Sequence, residues 1–193
     1  MKRGLGIFAG VIAIGVLVFL YSSSLKINGG NAYQVNPELI LKQLTVLKEQ
    51  EFGGDEIYIT LNVRRSGFPV EYIRIPQRPD HWLSRQIDLV KDIHLWSAPV
   101  IDGETVTIMV ELNEQNMEPM NPDDLLGMMR VKIKNEKGKL DVHWDVPNQW
   151  GNEHSKKLAD SGAETKVRVS SHVEKFDFQN EDAHYEMYLM LKK

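Results

Sequence analysis

Residues 104–135 read ETVTIMVELNEQNMEPMNPDDLLGMMRVKIKN. In the first third, Val106, Ile108, Val110 and Leu112 alternate with Thr107, Met109 and Glu111. Period-2 alternation is the mark of a strand with one buried face. The last third, Met129–Asn135, alternates again and runs through an EKGK turn into LDVHWDV, Leu140–Val146, which predicts a hairpin. Between the two lies a loop rich in acids, asparagine and proline that closes on Asp-Leu-Leu-Gly. Two strands joined this way, with a third turning back on them, set the fold class as antiparallel β.

The same period extends over the rest of the chain. EIYITLNV (Glu56–Val63) places Ile57, Ile59, Leu61 and Val63 on one face, and VEYIRI (Val70–Ile75) follows a Gly-Phe-Pro turn. DIHLW (Asp92–Trp96), TKVRVSS (Thr165–Ser171) and HYEMYLML (His184–Leu191) complete a set of about eight short strands. No strand–helix–strand alternation is present, which argues against a doubly wound nucleotide-binding fold. Ser84–Lys91 fits either a short helix or an irregular crossing. One helix is expected before the strands. Asn36 suits a cap, Pro37 the first helical position, and Ile40, Leu44 and Leu47 recur at i, i+4 and i+7 before Gly53-Gly54.

Upstream, Gly4–Tyr21 holds eighteen residues without a charge, preceded by Lys2 and Arg3. About 20 apolar residues cross a bilayer core, and the positive flank keeps the N-terminus cytoplasmic. A cleaved signal sequence is the alternative reading of residues 1–25. All 27 acids but only 21 of the 23 Lys and Arg follow the span, a balance of −6. Such a domain is not drawn to nucleic acid by bulk charge. The chain has no cysteine, which removes disulfides and thiolate metal sites. The expected organisation is an anchor at 1–25, a tether and amphipathic helix at 26–54, and a β-sandwich at 55–193.

The loop that closes the opening stretch resembles an element of C2 domains, the β-sandwiches known for calcium-dependent lipid binding. Asp124, Leu125, Leu126 and Gly127 match its Asp-apolar-apolar-Gly pattern. Glu114 and Asn116 stand where that family carries paired aspartates. The resemblance implies a C2-like sandwich and, at Glu114, Asn116, Asp123 and Asp124, a calcium site, since calcium takes several carboxylate and amide oxygens. The turn after Val63 reads RRSGFP, which is basic where that family has its second acidic cluster. The bland reading makes Asp123 and Asp124 turn-capping residues.

Catalytic motifs are missing from the sequence. The six histidines are scattered singly, and there is no nucleophile elbow, phosphate-binding glycine loop or metalloprotease helix. No catalytic residue and no obligatory cofactor is assigned. Trp82 and Trp150 at strand ends, with Arg78 and Arg85, fit either core plugs or a partner surface, because Trp and Arg dominate interaction hot spots. Met117 and Met120 suit an adaptable contact. The expectation is a non-catalytic, single-pass protein of the inner membrane with a periplasmic protein-binding domain. An immunity protein against an envelope-targeted toxin or an accessory subunit of an envelope complex fits that description; a calcium–lipid module and an envelope hydrolase are the alternatives.

Overall fold

The computed structural model describes residues 33–51, 53–116, 123–148, 152–158, 173–180 and 182–193. The expected span at 1–25 and the expected strand at 165–171 lie outside them. Among the described residues no helix is long and apolar enough to cross a membrane.

Among the described residues of the unit Tyr33–Lys193 there are eleven strands. They are β1 (Glu38–Lys48), β2 (Glu56–Arg65), β3 (Glu71–Ile75), β4 (Trp82–Leu83), β5 (Lys91–Ser97), β6 (Thr105–Glu114), β7 (Asp124–Glu136), β8 (Lys139–Asp145), β9 (Lys156–Leu158), β10 (Val173–Gln179) and β11 (His184–Lys192). A 3-10 turn covers Ser84–Leu89. One sheet has the order β5-β1-β11-β10-β9. The other runs β3-β2-β6-β7-β8, with β4 beside β3 on the same edge of β2. Every pairing is antiparallel. The inward faces of the two sheets form one apolar core, to which Leu39, Leu61, Ile108, Val131, Phe176 and Leu189 all belong. This is a two-sheet antiparallel β-sandwich.

The alternating runs fold as their period dictates. In β6 the residues Val106, Ile108, Val110 and Leu112 are fully buried. The hairpin of β7 and β8 turns on Lys137 and Gly138, both with positive φ, as a tight hairpin turn demands.

The expected helix at 36–53 is instead β1, and the reason is a bulge. Leu39 and Leu41 face the core, the register slips between Leu41 and Gln43, and Leu44 then faces the core in turn. One extra residue, Lys42, turns a period of two into the spacing 39, 41, 44, which imitates a helix. The true inward set excludes Leu47, which is 53% exposed. β1 lies between β5 and β11, so the sandwich includes residues assigned from sequence to a tether.

A second bulge explains Asp-Leu-Leu-Gly. Leu112 pairs with Gly127 and Asn113 with Leu125, which leaves Leu126 as the extra residue, fully buried. A Cβ on Gly127 would stand 2.4 Å from Phe178 Cγ, so glycine is required where the two sheets touch at this point.

Candidate functional site

At one end of the sandwich the β1–β2 loop, the 3-10 turn and the β6–β7 connection meet in a polar network. Asp55 is its centre and is fully buried. Its carboxylate accepts the backbone N–H of Gln50 at 3.0 Å and of Glu51 at 2.8 Å, and the Tyr185 hydroxyl. Its own N–H donates to Ser84 Oγ at 2.8 Å, and Ser84 Oγ donates to Glu49 Oε1 at 2.7 Å. Gly54 makes the approach possible. Its φ is +98°, and a Cβ there would meet Ser84 Oγ at 2.9 Å.

The loop residues expected to hold calcium do come together beside this network. Asp123 Oδ1 accepts the Asn116 N–H at 3.0 Å and Oδ2 accepts the Tyr58 hydroxyl at 2.6 Å. Asp124 Oδ2 accepts Gln50 Nε2 at 3.0 Å and Asn116 Nδ2 at 3.2 Å. Burial first, then the bond to Asp123, pushes the Tyr58 hydroxyl well above its ordinary range. Glu114 is 1% exposed. Burial, with the charges of Asp55, Glu51 and Asp124 around it, raises its carboxyl to about 8. It bonds to Asp55, while its Oε2 has no partner. Near neutrality Glu114 is therefore mostly protonated. The neighbouring aspartates spend oxygens on amides and a phenol. Among the described residues no three Asp, Glu or His side chains stand so as to hold a metal ion. The arrangement suits a loop clasp better than a cation cage.

The residues expected to meet a partner divide. Met117, Met120 and Trp150 lie outside the described residues. Trp82 is half-buried in β4, paired opposite Ile57 and packed on the core. Arg78, in the loop after β3, and Arg85, in the 3-10 turn, are exposed. A more exposed feature lies at the far end of β2. Phe68 is 59% exposed, Val70 42% and Tyr72 76%, at the β2–β3 hairpin and on edge strand β3. The hairpin is firmly held. Arg65 lies 4.7 Å over the Phe68 ring and bonds Glu104 through two contacts at 2.7 and 3.0 Å, with a third to the Pro99 carbonyl. That guanidinium holds the Glu104 carboxyl below the usual range.

At the other end of the edge, Arg74 lies 4.0 Å over the Tyr58 ring and donates to the carbonyls of Pro76 and Asp80 and to Gln115. The loop carrying Arg78 is thereby tied to the end of β6 at Gln115. The signal for Phe68, Val70 and Tyr72 was present in the sequence, since VEYIRI has large apolar residues on both faces. Asp55 and Tyr185 had no such signal, being 130 positions apart. No known family matches the chain, and no curated protein matches it either.

Proposed function

We propose that this chain is a non-catalytic protein-binding module, tethered through residues 1–25 to the cytoplasmic membrane and displayed on its outer side. The observation that carries the reading is a concentration of exposed apolar surface. Among the described residues eight large hydrophobic side chains are exposed, and five of them (Phe68, Val70, Tyr72, Leu83, Leu89) fall between residues 68 and 89. Phe68, Val70 and Tyr72 lie together at the β2–β3 hairpin and on edge strand β3, whereas Leu83 stands opposite Glu56 at the far end of β2 and Leu89 belongs to the 3-10 turn. The same segment carries Arg78, Trp82 and Arg85. Scattered exposed apolar residues need no explanation, whereas Phe68, Val70 and Tyr72, close together at the hairpin with Arg65 stacked on Phe68, suit an interface. The arginine clamp under Phe68 supplies preorganisation, which lowers the ordering cost of binding.

An immunity protein or an accessory subunit of an envelope complex fits this reading. The C2-like pattern favours a calcium-dependent lipid module, and an envelope hydrolase needs polar groups converging in a cleft. Both are weaker, because the loop carboxylates already serve internal bonds.

A photo-crosslinking residue in place of Tyr72, in cells making the full chain, tests the proposal. A discrete crosslinked protein is expected from position 72 and not from position 188, on the outer face of the opposite sheet. Equal or absent crosslinking at the two positions overturns it.

A further inference from the structure

Beside Tyr72 the outer face of the β3-β2-β6-β7-β8 sheet has an unusual charge pattern. Arg64 pairs across strands with Thr107, Thr107 with Lys132, and Lys132 with His143. Residues opposite one another on adjacent strands share a face, so these four form one row across β2, β6, β7 and β8. Arg64, Lys132 and His143 are all exposed. The flanking rows neutralise their cations, Arg130 with Asp145 and Lys134 with Glu136. Arg64 and Lys132 make no ion pair with any described residue, and the Arg64 Nε donates only to the neutral Asn62 amide. Asp145 and Asp141 flank His143 on β8, and Asp145 also feels the charge of Lys132. The first is taken by Arg130, and the second lies opposite Lys134.

The row leads directly to the apolar patch. Asn62 pairs with Tyr72, so Arg64, two residues on, lies on the same face beside Val70 at the hairpin. Neighbouring strands are about 4.8 Å apart, which puts Arg64 and Lys132 roughly 10 Å from one another at the backbone, about the span of three residues of polyproline II, whose i and i+3 side chains share a face. A cationic row with an apolar anchor at one end is complementary to a chain of opposite pattern.

We propose that this surface takes an acidic protein segment in the polyproline II conformation, an apolar side chain settling against Phe68, Val70 and Tyr72 and carboxylates three residues apart, on one face of that helix, reaching Arg64 and Lys132. The inference rests on the protein-binding reading and names the partner's chemistry. Its attraction is electrostatic at an exposed face, so it weakens with salt, the screening length falling from about 30 Å at 0.01 M to about 10 Å at 0.1 M.

The test uses the full chain in neutral detergent and three labelled ten-residue peptides that share one Phe. They carry two Glu three residues apart, two Gln, or two Lys at the same places, and binding is read by fluorescence anisotropy. At low salt the Glu peptide is expected to bind at least about tenfold tighter than the Gln peptide, with the advantage lost in Arg64→Gln/Lys132→Gln and at high salt. Both substitutions lie at exposed positions, and a thermal melt confirms that the fold survives them. Equal binding of the Glu and Gln peptides overturns the acidic partner while leaving the protein-binding reading in place. Binding of none of the three, together with no crosslink from position 72, overturns both. Displacement of the Glu peptide by inorganic phosphate at comparable concentration also overturns it, in favour of a small-anion site.

Discussion

Glu114 ends β6 among acids. Asp55 and Glu51 face it from the β1–β2 loop, Asp124 from the start of β7, and the Tyr185 hydroxyl approaches the same Asp55 from β11. None of the charges that perturb it is a cation, so the proton is what lets the carboxyl stay buried. Its ordinary value near 4.5 is the unfolded value, and its folded value is about 8. The folded state therefore binds more proton between those limits. The contribution of Glu114 is fully present below pH 4.5 and is lost as pH rises through 8. Glu114→Gln keeps the shape and removes the titration. In urea titrations between pH 5 and 9 the native protein should lose stability toward alkaline pH. The variant should show a visibly shallower slope and be the more stable of the two at pH 9. Parallel slopes would show that the proton resides elsewhere.

Among the elements, β7 ties the loop to the core through a contact that a single methyl group tests. Gly127→Ala drives a Cβ into Phe178, the two atoms being 2.4 Å apart at the unrelaxed positions. Overpacking of this kind costs about 1–3 kcal/mol, read as a lower denaturant midpoint at unchanged slope. Phe178→Leu in the same chain should restore part of the loss, because the two positions are in direct contact and their effects do not add. An additive double mutant would mean that the backbone shifts instead. Element by element, the alternating strands were legible from sequence, since β2, β6, β7, β8 and β11 follow a period-2 pattern that burial enforces. Bulges and buried acids hid the rest. Lys42 shifted the phase of β1 into a helical spacing. Glu174 and Asp177 gave β10 a polar look, although both are buried, Glu174 paired with Lys157 and Asp177 with Lys156 and in hydrogen-bond contact with His184.

For the whole molecule, the sandwich class followed from local pattern, while its boundary and its clasp depend on contacts between distant residues. Asp123 and Asp124 were recognisable as a pair, but Asp55 and Tyr185 meet only because β2 and β11 belong to facing sheets. The boundary has the sharpest consequence. β1 bonds β5 on one side and β11 on the other, and it buries Leu39, Leu41 and Leu44 completely. Each fully buried leucine contributes about 1.5–3 kcal/mol, so the three together contribute about 5–9 kcal/mol. A domain of this kind has only about 5–15 kcal/mol of net stability. A fragment of residues 33–193 should therefore unfold cooperatively in urea. A fragment of residues 55–193 should show no cooperative transition and should bind a hydrophobic dye, as a sheet split between β5 and β11 exposes its core. Equal midpoints and slopes for the two fragments would make β1 an accessory strand and return the domain boundary to residue 55.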